Sequence, residues 1–383
     1  MKIRIVGGGP AGLYAAILLK KCRPDIDLRV YEQNAADATW GFGVVFSDRA
    51  LEFLRADDPE TADLIGRRME SWSRITISHK GERIDIDGIG FRSIGRLAML
   101  QLLQSRAAFL GVETRYGTRI EDVSEFDDCD LVIAADGLNS VVRAEAPGEF
   151  GESITLLDNR FIWYGASKPF GALTQTFIST DRGDFNAHHY RYSPDRSTFL
   201  VECSPEAYAN YGFGNMPEIE YREICRDIFA RELGDATLIN NHSMWRRFPV
   251  LRNTRWFRRN RVLVGDALHT AHYSIGSGTR LALEDVAALV DSLRSHDFDV
   301  ARALPAYQVG REPVLNKLTA AARRSGDWYE RFGEHMRLDP WPFALSYIMR
   351  SGRLDGDTLA RMSPVFCREL QQRGIGIPEL DET

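Results

Sequence analysis

Lys2-Ile-Arg-Ile-Val-Gly-Gly-Gly-Pro-Ala-Gly-Leu13, read on as far as Glu32, is the stretch that decides the fold. Lys2 to Val6 reads as a strand, Gly7 to Gly12 as a turn, Leu13 to Lys21 as a helix, and Leu28 to Tyr31 as a second strand closed by Glu32. That is a βαβ unit whose turn has the spacing G-x-G-x-x-G. Gly7 allows the tight turn, Gly9 lets the backbone approach a pyrophosphate, and Gly12 lets helix and strand pack closely. Pro10 and Ala11 lie in the same turn, and the helix behind them offers free N–H groups and a partial positive charge to a diphosphate. Glu32 stands twenty residues past Gly12, where a carboxylate accepts both hydroxyls of an adenosine ribose and disfavours a 2′-phosphate. The unit predicts a dinucleotide, FAD or NAD equally.

Around it the composition is that of a globular protein. The 383 residues, 44% hydrophobic, suffice to bury a large core in two or three lobes. A formal net charge of −6 argues against general binding to nucleic acid or to an anionic membrane, which wants a basic face. Cys22, Cys129, Cys203, Cys225 and Cys367 form neither a Cys-x-x-Cys pair nor a zinc-like cluster, so they read as reduced thiols, and no metal is expected. The first strand starts at residue 2, which leaves no room for a signal peptide, and no apolar run approaches roughly eighteen residues. A cytoplasmic location is the expectation.

Thr39-Trp-Gly-Phe-Gly-Val-Val-Phe46 is too glycine-rich for a helix and too apolar for a solvated loop, so it reads either as a buried loop on the sheet or as a lining, with Gly43 and Val44 against a flat ring system. Residues 73–87 alternate (Ile75, Ile77, Ile84, Ile86) around Lys80-Gly81 as a hairpin does. Arg96 opens a helix carrying Leu97, Leu100, Leu103 and Ala107 and stopping at Gly111. Asp130 to Ala135 is a continuous apolar strand, as in a parallel sheet covered on both faces, and it ends in Asp136-Gly137. From about 155 to 250 the texture turns β-rich and aromatic, with a helical stretch at 218–233. Arg261-Val-Leu-Val-Gly-Asp266 is another buried strand, followed by Gly276-Ser-Gly-Thr279 and an amphipathic helix with Leu281, Val286, Leu289 and Leu293. From 305 onward the chain reads as mostly helical, broken at Pro340, Pro342 and Pro364. The expected architecture is α/β: a Rossmann-type domain from 1–72, 92–155 and 256–325, interleaved with a mainly antiparallel-sheet domain from 73–91 and 156–255, then a helical segment 326–383.

Three fingerprints thus stand in order: Gly7-x-Gly9-x-x-Gly12 with Glu32, Asp136-Gly137 with Arg143, and Gly265-Asp266. From residue 1 to about 325 this pattern resembles the flavoprotein aromatic hydroxylases built on a single FAD-binding domain. The resemblance implies that Gly7, Gly9, Pro10, Ala11, Gly12 and Glu32 hold the ADP half of FAD, with Arg96 near its phosphates. Asp136-Gly137 is implied to serve both FAD and the reduced nicotinamide, and Asp266 to hold the ribityl chain. The helix after Gly276, Ser277, Gly278 and Thr279 is implied to face the electron-rich edge of the isoalloxazine. The broad family has a proline where this chain has Ser274. Ser274-Ile-Gly276, Gly41 to Ser47, Phe161 to Gly165 and Ser197 to Glu202 resemble the subgroup containing salicylyl-CoA 5-hydroxylase and the hydroxylase half of anthraniloyl-CoA monooxygenase. A tryptophan hydroxylase of violacein assembly is its more distant relative. Ser325 to Glu330, Pro342 to Ser346 and Arg350 to Arg353 resemble the CoA-ester members in particular.

The chemistry so implied is reduction of FAD by NADH or NADPH, reaction with O2, and transfer of one oxygen atom to an electron-rich aromatic ring, acting as a monomer or homodimer on a CoA thioester such as salicylyl-CoA. The alternatives are a hydroxylase of a free aromatic or indole substrate, and a flavin reductase or dehydrogenase that transfers no oxygen. His188, His189, Tyr190, His269 and His272 are the candidate catalytic side chains, each weighed against a structural histidine bonded only to its surroundings. Of 48 basic residues six are lysine, and seven arginines fall between 246 and 261. Arginine's planar fork suits phosphate, so Arg247, Arg252, Arg255 and Arg258 are the candidates for the phosphates of CoA, against the plainer reading of a solvated surface between domains.

Overall fold

The computed structural model describes residues 1–47 and 52–378; residues 48–51, and 379–383 of the expected helical C-terminal segment, lie outside the described residues. A six-stranded sheet runs, edge to edge, Phe257–Arg258, Arg261–Leu263, Leu131–Ala134, Lys2–Val6, Asp27–Tyr31 and Glu113–Arg115. All its pairings are parallel except the hairpin of the first two. Val6 lies opposite both Tyr31 and Ala134, and Ala134 opposite Leu263. Four carboxyl ends therefore share one edge, from which Gly7, Glu32, Asp136 and Asp266 all emerge, the usual place for a ligand on an open parallel sheet. The helix Pro10–Cys22 packs between Arg96–Phe109 and Gly278–Ser295, and Leu13 to Leu19 are buried all round because it is covered by sheet and helices alike.

The second sheet has eight strands in the order Leu238–Ile239, Arg160–Ala166, Ser197–Cys203, Gly183–Arg191, Leu173–Thr180, Glu70–His79, Glu82–Gly95 and Gly43–Ser47. It is antiparallel apart from one parallel pair, Leu173–Thr180 with Glu70–His79, where the two separate stretches of chain meet. The hairpin turns at Lys80 and Gly81, both at positive φ (48° and 81°), the conformation a two-residue turn needs to match the strand twist. Gly43–Ser47, read from sequence as loop or lining, is an edge strand: its glycine and apolar residues satisfy their backbone groups by pairing with Phe91–Gly95.

Alternation gives this sheet two faces. Ile162, Tyr164, Phe185, Ala187, Phe199 and Val201 point to one, covered by helices Pro205–Tyr211 and Glu218–Ile228. Phe161, Trp163, His188, Tyr190, Thr198 and Leu200 point to the other, toward the six-stranded sheet. The rest of that second face is closed by C-terminal helices, which bring Trp328, Tyr329, Phe343 and Tyr347 against Phe177, Ile77 and Ile86. The helix Val300–Glu330 runs 31 residues with Pro305 and Pro313 inside it. Pro340 and Pro364 each occupy the first turn of a new helix, where a missing N–H costs nothing. Among the described residues no helix is long and apolar enough to cross a membrane.

Candidate active site

The fold places one cavity of about 760 Å³ between the edge of the parallel sheet and the aromatic face of the other. At the first end Gly7 holds φ +103°, and a Cβ there would sit 2.3 Å from the Ala135 carbonyl; at Gly12 it would sit 1.9 Å from the Gly7 carbonyl. Neither position admits another residue without backbone movement. A Cβ at Gly9 would meet nothing within 4 Å, the free space a diphosphate would use. Glu32 is held at the turn by three donors, the Gly8 N–H (2.8 Å), the Asn34 N–H (2.8 Å) and the Asn34 amide (2.6 Å).

Deeper in, Asp136 accepts from the Val141 N–H through Oδ2 (2.8 Å), while its buried Oδ1 has no partner; burial raises its pKa. Arg143 ties this loop to the Gly265–Ala267 turn by donating to the carbonyls of Ala267 (2.6 Å) and Leu138. Asp266 is surrounded by protein yet its carboxyl opens into the cavity, and this surrounding raises its pKa against the pull of His269 and Arg96. Arg96 also lines the cavity, its pKa lowered by burial and partly restored by Asp266. Neither side chain makes a hydrogen bond among the described residues. The helix Gly278–Ser295 begins at the same wall with no side-chain cap, its first internal bond running from the Leu281 N–H to the Ser277 carbonyl (2.8 Å), so the N–H groups before it are free. An orphan acceptor, an unpaired cation, an open carboxyl and a free helix N-terminus along one trough fit FAD. Val44 lines the trough, whereas Gly43 is anchored beside it: its N–H donates to Thr198 Oγ1 and its carbonyl accepts from Tyr190 (both 2.9 Å).

At the other end the walls are Phe161, Trp163, His188, Tyr190, Leu200, Phe248 and Tyr273. Of the five candidate catalytic side chains, His188 and Tyr190 lie here. His188 is buried with Nε2 unpartnered, and burial, with Arg350 adding to it, holds its pKa at about 3, so the ring is neutral. The other three histidines do not line the cavity. His189 points to the opposite face, 3.1 Å from Thr176 Oγ1 and stacked on Phe199. His269 Nε2 meets Asp285 (2.7 Å), which also takes Arg311 (3.0 Å) and the Gly265 N–H (3.2 Å) and so braces the Gly265 turn from behind. His272 bonds Ser274 Oγ (2.8 Å) and packs against Phe248.

The four candidate arginines lie outside the cavity. Arg247 bonds Asp158 and the Leu157 carbonyl (2.7 Å), Arg255 the Gly148 (3.0 Å) and Glu149 carbonyls, and Arg258 the Glu149 carboxylate. Arg252 is exposed and makes no side-chain hydrogen bond among the described residues; its strand, Pro249–Asn253, starts at the cavity wall. Trp163, Leu200, Phe248 and Tyr273 were not among the candidate residues, although Trp163 and Leu200 fall within stretches that carry the resemblance. Strand alternation through Arg160–Ala166 and Ser197–Cys203 is the signal that marks the first two.

Comparison with known proteins bears on the same features. The family model described as FAD binding domain matches residues 100–322. Salicyloyl-CoA 5-hydroxylase of Streptomyces sp is 36% identical, over 92% of this chain and 70% of that protein. The 3-hydroxy-4-methyl-anthranilyl-[aryl-carrier protein] 5-monooxygenase of Streptosporangium sibiricum is 36% identical, over 86% of this chain and 90% of its own. Protodeoxyviolaceinate monooxygenase of Chromobacterium violaceum is 31% identical, over 91% and 94%. Among solved structures, 2-methyl-3-hydroxypyridine-5-carboxylic acid oxygenase superposes with a TM-score of 0.70 at 18% identity, covering 94% of this chain and 95% of that one, which speaks to the fold.

Proposed function

The chain belongs to the FAD-binding-domain family of flavin-dependent aromatic monooxygenases, and from that premise we propose that its substrate is an aromatic acid carried as a CoA thioester, salicyloyl-CoA first among candidates, with NADH or NADPH as reductant. The observation behind this reading is the continuity of one cavity from Gly9 and Glu32 to Trp163, His188 and Tyr190. The thioester is supported by the names of the two 36% identical relatives, which specify an aromatic acyl group on CoA or on a carrier protein.

FAD bound here would supply the redox chemistry: acceptance of a hydride from a reduced nicotinamide and insertion of one atom of O2 into the ring, the other being released as water. The chain's own residues do the rest. The glycine turn and Glu32 hold the adenosine diphosphate, Arg96 offsets its charge, and Asp266 accepts from the ribityl hydroxyls. The free N–H groups before Leu281 favour negative charge on the ring system. Phe161, Trp163 and Leu200 clamp the aromatic substrate and exclude water. His188, neutral, offers Nε2 to a ring hydroxyl; a phenol so bonded is richer in electrons ortho and para to its oxygen. Only one parallel sheet of the dinucleotide-binding type occurs among the described residues, so the nicotinamide visits transiently; the aromatic substrate speeds flavin reduction, a gating without which reductant would be wasted as peroxide. An acyl arm leaves past Pro249 toward Arg252, with Arg247, Arg255 and Arg258 the further candidates for its phosphates.

Aryl-CoA thioesters and their free acids, compared for stimulated NAD(P)H oxidation with product mass measured, test the reading. A hydroxylated thioester is expected; equal turnover of the free acid overturns the CoA assignment. A free indole-type substrate, the second reading, draws on the protodeoxyviolaceinate monooxygenase likeness and is decided by the same screen.

A further inference from the structure

Thr198 and Leu200 line the cavity, and the next residue on that face of the strand is Glu202, a carboxyl 1% exposed. Its partners are two neutral donors. Oε2 accepts from the Tyr273 hydroxyl (2.7 Å) and Oε1 from the Asn159 amide (2.8 Å), and no cation pairs with it among the described residues. Asn159 is fixed in turn by the Tyr329 carbonyl (2.8 Å) and by Glu330, which accepts from its N–H (3.1 Å). Tyr273 belongs to the segment between Asp266 and the helix Gly278–Ser295, and its ring packs 5.0 Å from Phe161 and 5.8 Å from Phe248, both walls of the cavity. One hydrogen bond thus joins the aromatic sheet to the segment that leads into the flavin-facing helix.

We infer that Glu202 is a positioning residue for the hydroxylation: by accepting the Tyr273 phenol it fixes the distance between the aromatic wall and the flavin-facing segment, and hence between ring and cofactor. This rests on the monooxygenase reading. An ionised Glu202 satisfies both donors. A protonated one accepts without the charge that strengthens the bond, and the Tyr273 link weakens. Burial, reinforced by the Glu330 carboxyl and opposed by Tyr273 and Asn159, raises the Glu202 pKa to about 7, so the change falls in the working range. The other ionisable groups around it include Tyr329 and Cys203, with His272 beside Tyr273, Arg350 over the Tyr329 ring and donating to the Ser274 carbonyl (2.7 Å), and the Arg247–Asp158 pair beyond Glu330. His272, at about 3, stays neutral throughout and supplies no competing transition.

The test compares FAD-loaded wild type, Glu202→Gln and Tyr273→Phe, with salicyloyl-CoA as probe, from roughly pH 6 to 8.5, the span either side of a carboxyl so shifted. Wild-type KM and peroxide yield should rise about fivefold as pH falls through 7, while the flavin-reduction rate stays within about twofold; in both variants KM should be raised and flat with pH. If wild type leaves salicyloyl-CoA unhydroxylated, the substrate reading fails, and the inference is decided without substrate. The infrared C=O band of a buried protonated carboxyl and the visible flavin spectrum should then titrate together in wild type. The band should be lost in Glu202→Gln, and the spectrum should become independent of pH in both variants. If Glu202→Gln does not fold, the same measurements on Tyr273→Phe, which removes only the donor, decide the matter. A pH dependence of KM or of the flavin spectrum that survives these substitutions overturns the inference.

Discussion

The two ends of the cavity are built by different means. The flavin end is made of backbone: strand ends, positive-φ glycines and helix N-termini, each specified by a few adjacent residues. The substrate end is made of side chains from strands far apart in sequence, and its shape depends on which face each residue takes. Damage at the first end should therefore appear as lost cofactor, and damage at the second as misdirected oxygen with the cofactor still bound.

Gly12→Val is the harshest way to sharpen that contrast. A Cβ 1.9 Å from the Gly7 carbonyl displaces the turn itself, at a cost of more than about 3 kcal/mol, and the protein should purify without flavin, as its absorbance will show. Glu32→Ala keeps the turn but removes the ribose acceptor. Losing a charged hydrogen bond costs on the order of 1.5–3 kcal/mol, so the FAD Kd by titration should rise roughly 10- to 100-fold with the aryl-CoA KM nearly unchanged. The converse is Arg252→Glu with Arg247→Glu, which should raise that KM about tenfold at low salt and by less at high salt, where wild-type binding is itself weakened, and leave FAD affinity and saturating rate alone. An FAD affinity that fell with them would break the separation of the two ends.

A separate effect, outside both ends of the cavity, is on stability. Glu202 folds with its pKa raised to about 7, above the unfolded value near 4.3. Its favourable contribution is therefore present in full below the unfolded pKa and is lost as pH rises through the folded one, a change on the order of 4 kcal/mol. Denaturant unfolding at pH values on either side should show that slope in wild type and a reduced one in Glu202→Gln.

The same contrast explains what could be read from sequence. Gly7 to Glu32, Asp136-Gly137 and Gly265-Asp266 are local patterns, and strand register alone carries them to one edge. Arg96 was legible too, as the first residue of a helix. Trp163 and Leu200 were half legible, since alternation marks them as sharing a face but says nothing of what that face meets. The link from Glu202 to Tyr273 spans 71 positions and left no pattern. Nor did the separation of His188 from His189, adjacent residues of one strand whose roles diverge because pleating sends one into the cavity and the other into the helix-covered core. The arginine run is dense in sequence, yet three of the four candidates are bonded to neighbouring carbonyls and carboxylates, which composition does not foresee.

The most direct test of a single cavity holding flavin at one end and an aryl thioester at the other is oxygen-isotope incorporation. The FAD-loaded protein is given NADH or NADPH, salicyloyl-CoA and ¹⁸O₂, and product and peroxide are measured together. The account predicts one ¹⁸O atom in the hydroxylated thioester for each nicotinamide oxidised, with little peroxide. Nicotinamide oxidised with every oxygen recovered as peroxide and the thioester unchanged would contradict it.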